Sequence, residues 1–203
     1  EGVEEGLLVL LQVPVVGERR AFDRGQQRGQ VPDQAAGLAE ALLHVIKRGR
    51  HLRARTVRTV RTLGLDVRLA RLAVRHLVTL GHRRIAFING LEGWDSSANR
   101  LAGYQDELLA SGIELDPALV HLGDWQVQSG YRAAQQMLSL PDRPTAVFAA
   151  NDLMALGVIY AAQEVGLGVP TDLALVGYDD RDFTGFVRPA LTTIQMPCEK
   201  MGQ

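Results

Sequence analysis

From about residue 67 onward the chain alternates short apolar runs with longer amphipathic ones. Leu72, Ala73, Leu77 and Leu80 recur at helical spacing within 69–80, and Gly81 follows as a C-terminal cap. Arg84–Ile88 is a β-prone run closed by Asn89 and Gly90. Ser96 and Ser97 stand where a helix cap belongs, ahead of Leu101, Tyr104, Leu108 and Leu109, and Ser111-Gly112 ends that helix. The alternation continues with a strand at 118–122, a helix at 129–140 and a strand at 145–149. A helix at 153–165 and a strand at 173–176 complete it. Strands separated by helices of ten or more residues predict an α/β fold with parallel sheets covered on both faces.

Ligands of such sheets bind beyond the carboxyl ends of the strands. Here those ends carry Asn89, Asp124-Trp125, Asn151-Asp152 and Asp179-Asp180. Amides and carboxylates serve several hydroxyls at once, and an indole offers a flat apolar face to a sugar ring. The pattern predicts a small, uncharged, hydroxyl-rich ligand. Asn151 and Asp152 precede an apolar helix, which needs only one of them as its cap. The reading gives the cap to Asp152 and leaves Asn151 for the ligand. Arg100 opens a helix, where its charge opposes the dipole, so a specific partner is expected for it. Trp125 taken alone suits core packing as well as ligand stacking.

Composition narrows the class. At 203 residues with 46% apolar content and a net charge of −1, the chain is long enough for two small α/β lobes and has no global attraction to nucleic acid. A single cysteine, Cys198, leaves no disulfide framework, and no apolar stretch approaches the ~20 residues of a membrane span. The acidic start, Glu1-Gly2-Val3-Glu4-Glu5, is unlike a secretory signal, so a cytoplasmic location is expected. Ten of the 22 basic residues lie between Lys47 and Arg75, and Arg55, Arg58 and Arg61 recur every three residues. That spacing suits a solvated helix face or a nucleic-acid surface, the former being favoured. Residues 17–64 show poor hydrophobic periodicity, as an out-of-frame translation would.

Catalytic signatures are missing. Asp179 and Asp180 are adjacent, so in an extended segment they point to opposite sides. His76, His82 and His121 lack a metal-ligand spacing, and no phosphate loop, dinucleotide fingerprint or nucleophile elbow follows any predicted strand. The chain is therefore expected not to be an enzyme and to use neither metal nor cofactor.

The stretches "LAVRHLVTLGHRRIAFING" (72–90), "RLAGYQDELLASGI" (100–113), "GDWQVQSGY" (123–131), "AANDLMALGVIYAAQEVGLGVPTDLALVGYDD" (149–180) and "LTTIQMP" (191–197) together resemble the effector-binding region of lac-repressor-type (LacI/GalR) bacterial transcription regulators. The resemblance covers roughly residues 68–203. It implies a periplasmic-binding-protein-like fold of two doubly wound parallel-sheet lobes, the first incomplete, with an effector between them. On that basis 1–66 is an atypical arginine-rich segment, 67–115 belongs to the first lobe and 116–190 to the second, and 191–203 crosses back to the first. The implied effector contacts are Arg100, Asn151 and Asp179, with Trp125 as a wall, Ser96 in a polar position and Gln195 as a further contact.

The resemblance also implies an allosteric switch in a homodimer, for which Leu156, Phe183 and Phe186 are the interface candidates. A small molecule, sugar or nucleoside-like, is the expected effector. Operator DNA would be bound through a headpiece that this chain lacks, and no membrane is involved. The alternative is a sugar-binding protein of a solute uptake system, which shares the fold.

Overall fold

The structure, a computed structural model, describes residues 57–196, with side chains from Gly64 onward. Five parallel strands form one sheet: β1 (Ile85–Asn89), β2 (Val120–Leu122), β3 (Ala146–Ala149), β4 (Ala174–Asp179) and β5 (Thr192–Gln195), in the order β2-β1-β3-β4-β5. Four helices accompany them: α1 (Val57–Thr79), α2 (Asp95–Ala110), α3 (Val127–Leu138) and α4 (Asp152–Glu164). α2 connects β1 outward to β2, whereas α3 and α4 connect strands in the opposite direction across the sheet. Right-handed crossovers therefore place α2 on one face and α3 with α4 on the other. α1 packs against α2, and α3 against α4. The expected doubly wound α/β architecture is present.

Every residue of β1 and β3 is buried, as central parallel strands covered on both faces require. Their register pairs Phe87 with Phe148. The two rings stack with centroids 5.0 Å apart, and Tyr104 of α2 stacks on Phe87 at the same distance. The Tyr104 hydroxyl donates to the Ile85 carbonyl oxygen at 2.8 Å, so its buried polar end is satisfied. On the other face α3 and α4 touch backbone to backbone. A Cβ on Gly130 would lie 2.2 Å from the Met154 carbonyl oxygen, and one on Gly157 would lie 2.2 Å from that of Val127. Only glycine fits either position.

The lobe boundary expected at 115/116 does not hold. β1, expected in a first lobe, hydrogen-bonds directly to β2 and β3, expected in a second. β5, expected to cross back, instead extends the same sheet along β4. The described residues thus form a single lobe, because the backbone N–H and C=O groups along both edges of buried β1 are paired within this sheet. The boundary at 66/67 also moves. α1 begins at Val57, and Asp66 on it is 6% exposed, inside the lobe.

Part of the basic run serves this packing. Arg71 Nε and Arg75 Nε donate to the Glu107 carboxylate at 3.0 and 2.8 Å, joining α1 to α2. The side chains of Arg55, Arg58 and Arg61 lie outside the described residues, as do Cys198 and residues 197–203. Gly81, at φ 91°, closes α1: its N–H bonds the Val78 oxygen while His82 N–H bonds that of Leu77. The α2 cap differs from expectation. Its N-cap is Trp94, which supplies no side-chain bond, and Ser96 and Ser97 fall inside the first turn. Leu109 of α2, expected on the apolar face, is 80% exposed.

Candidate functional site

The chain leaves β1 toward one edge of the sheet and β3 toward the other, so a crevice opens beyond the carboxyl ends of these two strands. Polar residues converge there. Asn89, last in β1, is buried and turns its Oδ1 to accept the Gly90 N–H at 2.9 Å. Asn151 follows β3, Asp179 ends β4 and Gln195 ends β5, with Asp179 and Gln195 in register.

Arg100 is the centre of the cluster. It comes from the second turn of α2, and its side chain is 8% exposed. One guanidinium nitrogen donates to the Ala150 carbonyl oxygen just past β3. Its Nη2 lies 3.6 Å from the Asp179 carboxylate and its Nε 3.8 Å from that of Asp66. The guanidinium carbon sits 3.8 Å from the ring centroid of Tyr178 and 5.4 Å from that of Trp125. A buried cation is thus held by two carboxylates and two aromatic faces. Asp66 is tied in further by the Tyr178 hydroxyl, which donates to it at 2.7 Å. Burial pushes the Asp179 carboxyl above its usual range, and the positive charges of Arg100 and Arg181 pull it back.

The cap that the sequence suggested for Asp152 belongs to Asn151. Asn151 is the N-cap of α4: its Oδ1 accepts the Met154 N–H at 2.9 Å, and its Nδ2 donates to the Trp125 carbonyl oxygen at 3.0 Å. The cap carries one hydrogen bond on each side of its amide, so the residue joins α4 to the Trp125 turn as well. Asp152 is fully buried. Its carboxylate accepts from the Thr193 hydroxyl and, at 2.8 Å, from the Arg181 N–H. Burial raises its pKa to about 6, against the lowering effect of those two bonds.

Trp125 sits in the turn between β2 and α3 with φ 69°, in the left-handed region that a bulky residue adopts at a cost of about 1–2 kcal/mol. Gly90 leaves it room, since a Cβ there would lie 1.9 Å from Trp125 Cζ2. Asp179 and Asp180 also have positive φ, at 113° and 59°. All positive-φ residues other than glycine among the described residues therefore lie at this end of the sheet. Strain gathered at one site is what a preorganised binding surface shows. The buried Oγ of Ser97, Nε of Arg100 and Nε1 of Trp125 have no hydrogen-bond partner, leaving polar capacity at the same end.

The structure thus brings Arg100, Trp125, Asn151 and Asp179 into one connected cluster, with Gln195 beside Asp179. Ser96 is half-buried one helical turn before Arg100, on the same side of α2. Asp66 and Tyr178 were not singled out from the sequence, and Asp152 was read there only as the helix cap. Nothing in the spacing of Asp66 pointed to a residue far away in the chain, and Tyr178 read as part of the segment that follows the 173–176 strand. Leu156 and Phe183 are half-buried, and Phe186 is 81% exposed. A separate hollow of about 310 Å³, lined by Leu122, Gly123, Asp124, Ser129, Arg132, Ala133 and Gln136, includes none of the cluster's residues. Among the described residues no group of His, Cys, Asp and Glu is placed to hold a metal ion, and no helix is long and apolar enough to cross a membrane.

Comparison with known proteins places this arrangement. A family described as periplasmic binding protein-like domain matches residues 74–203. The HTH-type transcriptional repressor PurR of Escherichia coli is 43% identical over 132 residues, which are 65% of this chain and 39% of that protein. A structure of a transcriptional regulator CelR–cellobiose complex superposes with a TM-score of 0.65 at 40% identity, over 68% of this chain and 42% of that one. A lac repressor dimer bound to operator and the anti-inducer ONPF gives 0.64 at 40% identity, over 68% and 48%. The chain spans about two fifths of the length of the curated relatives it matches. The chain belongs to the periplasmic binding protein-like domain family, and its relatives are LacI-family transcription regulators.

Proposed function

We propose that this chain is effector-sensing sequence from a LacI-type transcription regulator, and that the carboxyl end of its sheet is one wall of the effector cleft. The observation that carries the reading is Arg100, a buried guanidinium held at the strand ends between Asp179, Asp66 and two aromatic rings. Its charge is balanced, so it presents donors without attracting an anion, which suits hydroxyls. Asp179 and Gln195 supply acceptors beside it, Asn151 holds the Trp125 turn in place, and Ser96 extends the polar wall. The effector is a neutral sugar or nucleoside-like molecule, in keeping with a relative solved with cellobiose.

An effector acts by binding one arrangement of the regulator better than another. Leu156, Phe183 and the exposed Phe186 form the surface for a second copy. Operator DNA is contacted by a headpiece elsewhere in the regulator, as the helix-turn-helix name of the relatives suggests. A solute-uptake protein shares the fold, but PurR and the lac repressor are regulators.

Isothermal titration calorimetry of the chain against neutral sugars and nucleosides tests the reading. Saturable binding is expected, with Arg100→Ala and Asp179→Ala weakening it at least tenfold. Binding by neither class, or binding indifferent to both substitutions, overturns it.

A further inference from the structure

The chain has two tryptophans, Trp94 and Trp125. Their rings meet with centroids 6.1 Å apart, tilted by 49°. Trp125 is accounted for by the site. Trp94 is not. It occupies the N-cap of α2, a position that favours Ser, Thr, Asp or Asn because their oxygens accept a helix N–H, and it makes no such bond. Nor does it serve the core, since it remains 56% exposed. An indole that caps nothing and meets only the Trp125 ring leaves an apolar face open beside that strained, half-buried residue.

The charge around this corner is negative. Glu92, Asp95 and Asp124 lie within two residues of one or other tryptophan, and Arg100, the nearest buried cation, is already balanced by Asp66 and Asp179. A phosphate or carboxylate would meet repulsion here, whereas the C–H face of a sugar ring would meet a flat apolar surface with acceptors around it. The Nε1 of Trp125 is buried without a hydrogen-bond partner, so the indole's donor is unsatisfied beside this corner.

We infer that Trp94 forms a second subsite, which with Trp125 holds the second ring of a neutral disaccharide whose first ring lies against Arg100, Trp125 and Asp179. The inference deepens the effector reading above and rests on it. It narrows the ligand from a sugar or nucleoside to a two-ring, uncharged saccharide, and it assigns specificity for ring number to α2's cap.

The two tryptophans make the test direct, because intrinsic emission reports on this corner alone. Fluorescence titrations compare glucose and galactose with maltose, lactose and sucrose, and with glucose 6-phosphate as an anionic control. At least one disaccharide is expected to bind the wild-type chain more tightly than its component single rings. Trp94→Ala is expected to weaken that disaccharide roughly tenfold, the scale of one aromatic contact, and to change single-ring affinity less than about twofold. In Trp125→Phe the emission of Trp94 should still respond to the disaccharide. Equal losses for one and two rings in Trp94→Ala, no loss at all, or tighter binding of the phosphate overturn the inference. Failure of the effector reading looks different: no saccharide binds, or binding survives Arg100→Ala and Asp179→Ala. A chain that binds single rings through Arg100 and gains nothing from a second ring refutes only the Trp94 subsite.

Discussion

Asp152 offers a sharp test of how this site is built. It is fully buried, and burial raises its pKa from 3.8 to about 6. The sign follows from linkage. A carboxyl whose pKa is higher in the folded state binds more protons there than in the unfolded chain, so folding stability falls as pH rises between the two values. Below pH 3.8 the group costs nothing, and above about pH 6 its full cost is present. A shift of about two units corresponds to roughly 3 kcal/mol. About half of that, on the order of 1.5 kcal/mol, is lost between pH 5 and pH 8, because the unfolded carboxyl is already ionised at the lower limit.

Asp152→Asn removes the titration while keeping the hydrogen bonds. The amide oxygen accepts from the Arg181 N–H, and the amide nitrogen donates to the Thr193 hydroxyl, which reverses its role. Urea unfolding followed by circular dichroism, at pH 5, 6, 7 and 8, measures both proteins. The variant's advantage over the wild type is expected to grow by about 1.5 kcal/mol between pH 5 and pH 8. Other titrating groups cancel in that difference. Parallel stability curves for the two proteins would refute the argument, since the buried carboxyl would then not be the source of the slope.

Asp66→Ala leaves the Tyr178 hydroxyl without its acceptor and Arg100 with one carboxylate fewer. A loss of about 2–3 kcal/mol in urea unfolding is expected, together with weaker effector binding. Gly130→Ala drives a methyl into the Met154 carbonyl oxygen and should lower stability by about 2 kcal/mol, with the m-value unchanged. Gly90→Ala displaces the Trp125 indole. It should shift tryptophan emission and reduce effector affinity at least tenfold, while circular dichroism shows the helices intact. Little change in emission would mean that the indole is not seated on Gly90.

The order of elements was legible in the sequence because local chemistry dictates it. Gly81, Gly112 and Gly166 end their helices at positive φ, as residues without a Cβ do most easily. The apolar runs at 85–88 and 146–149 became buried strands, and the polar residues after them marked the ligand end of the sheet. Arg100, Trp125, Asn151 and Asp179 were named from these local signals and a family resemblance, and the fold gathers them. Partnership was not legible. Whether Asn151 or Asp152 capped α4 depended on Thr193 and on the Arg181 backbone, which capture the Asp152 carboxylate from elsewhere in the chain.

Which strands share a sheet was misjudged for the same reason. The 67–115 and 116–190 segments were given to separate lobes on the family resemblance, and the local pattern could not correct this, because it shows where strands are and not which edges they pair with. By itself the sequence determined the class of fold, the glycine-marked C-terminal ends of three helices and the polar strand termini, all properties of a few neighbouring residues. Tertiary structure alone decided that β1 lies between β2 and β3, that Asp66 reaches Arg100 and Tyr178, and that Trp94 meets Trp125. Those choices are set by burial and by polar groups satisfied across long stretches of chain, and no local pattern encodes them.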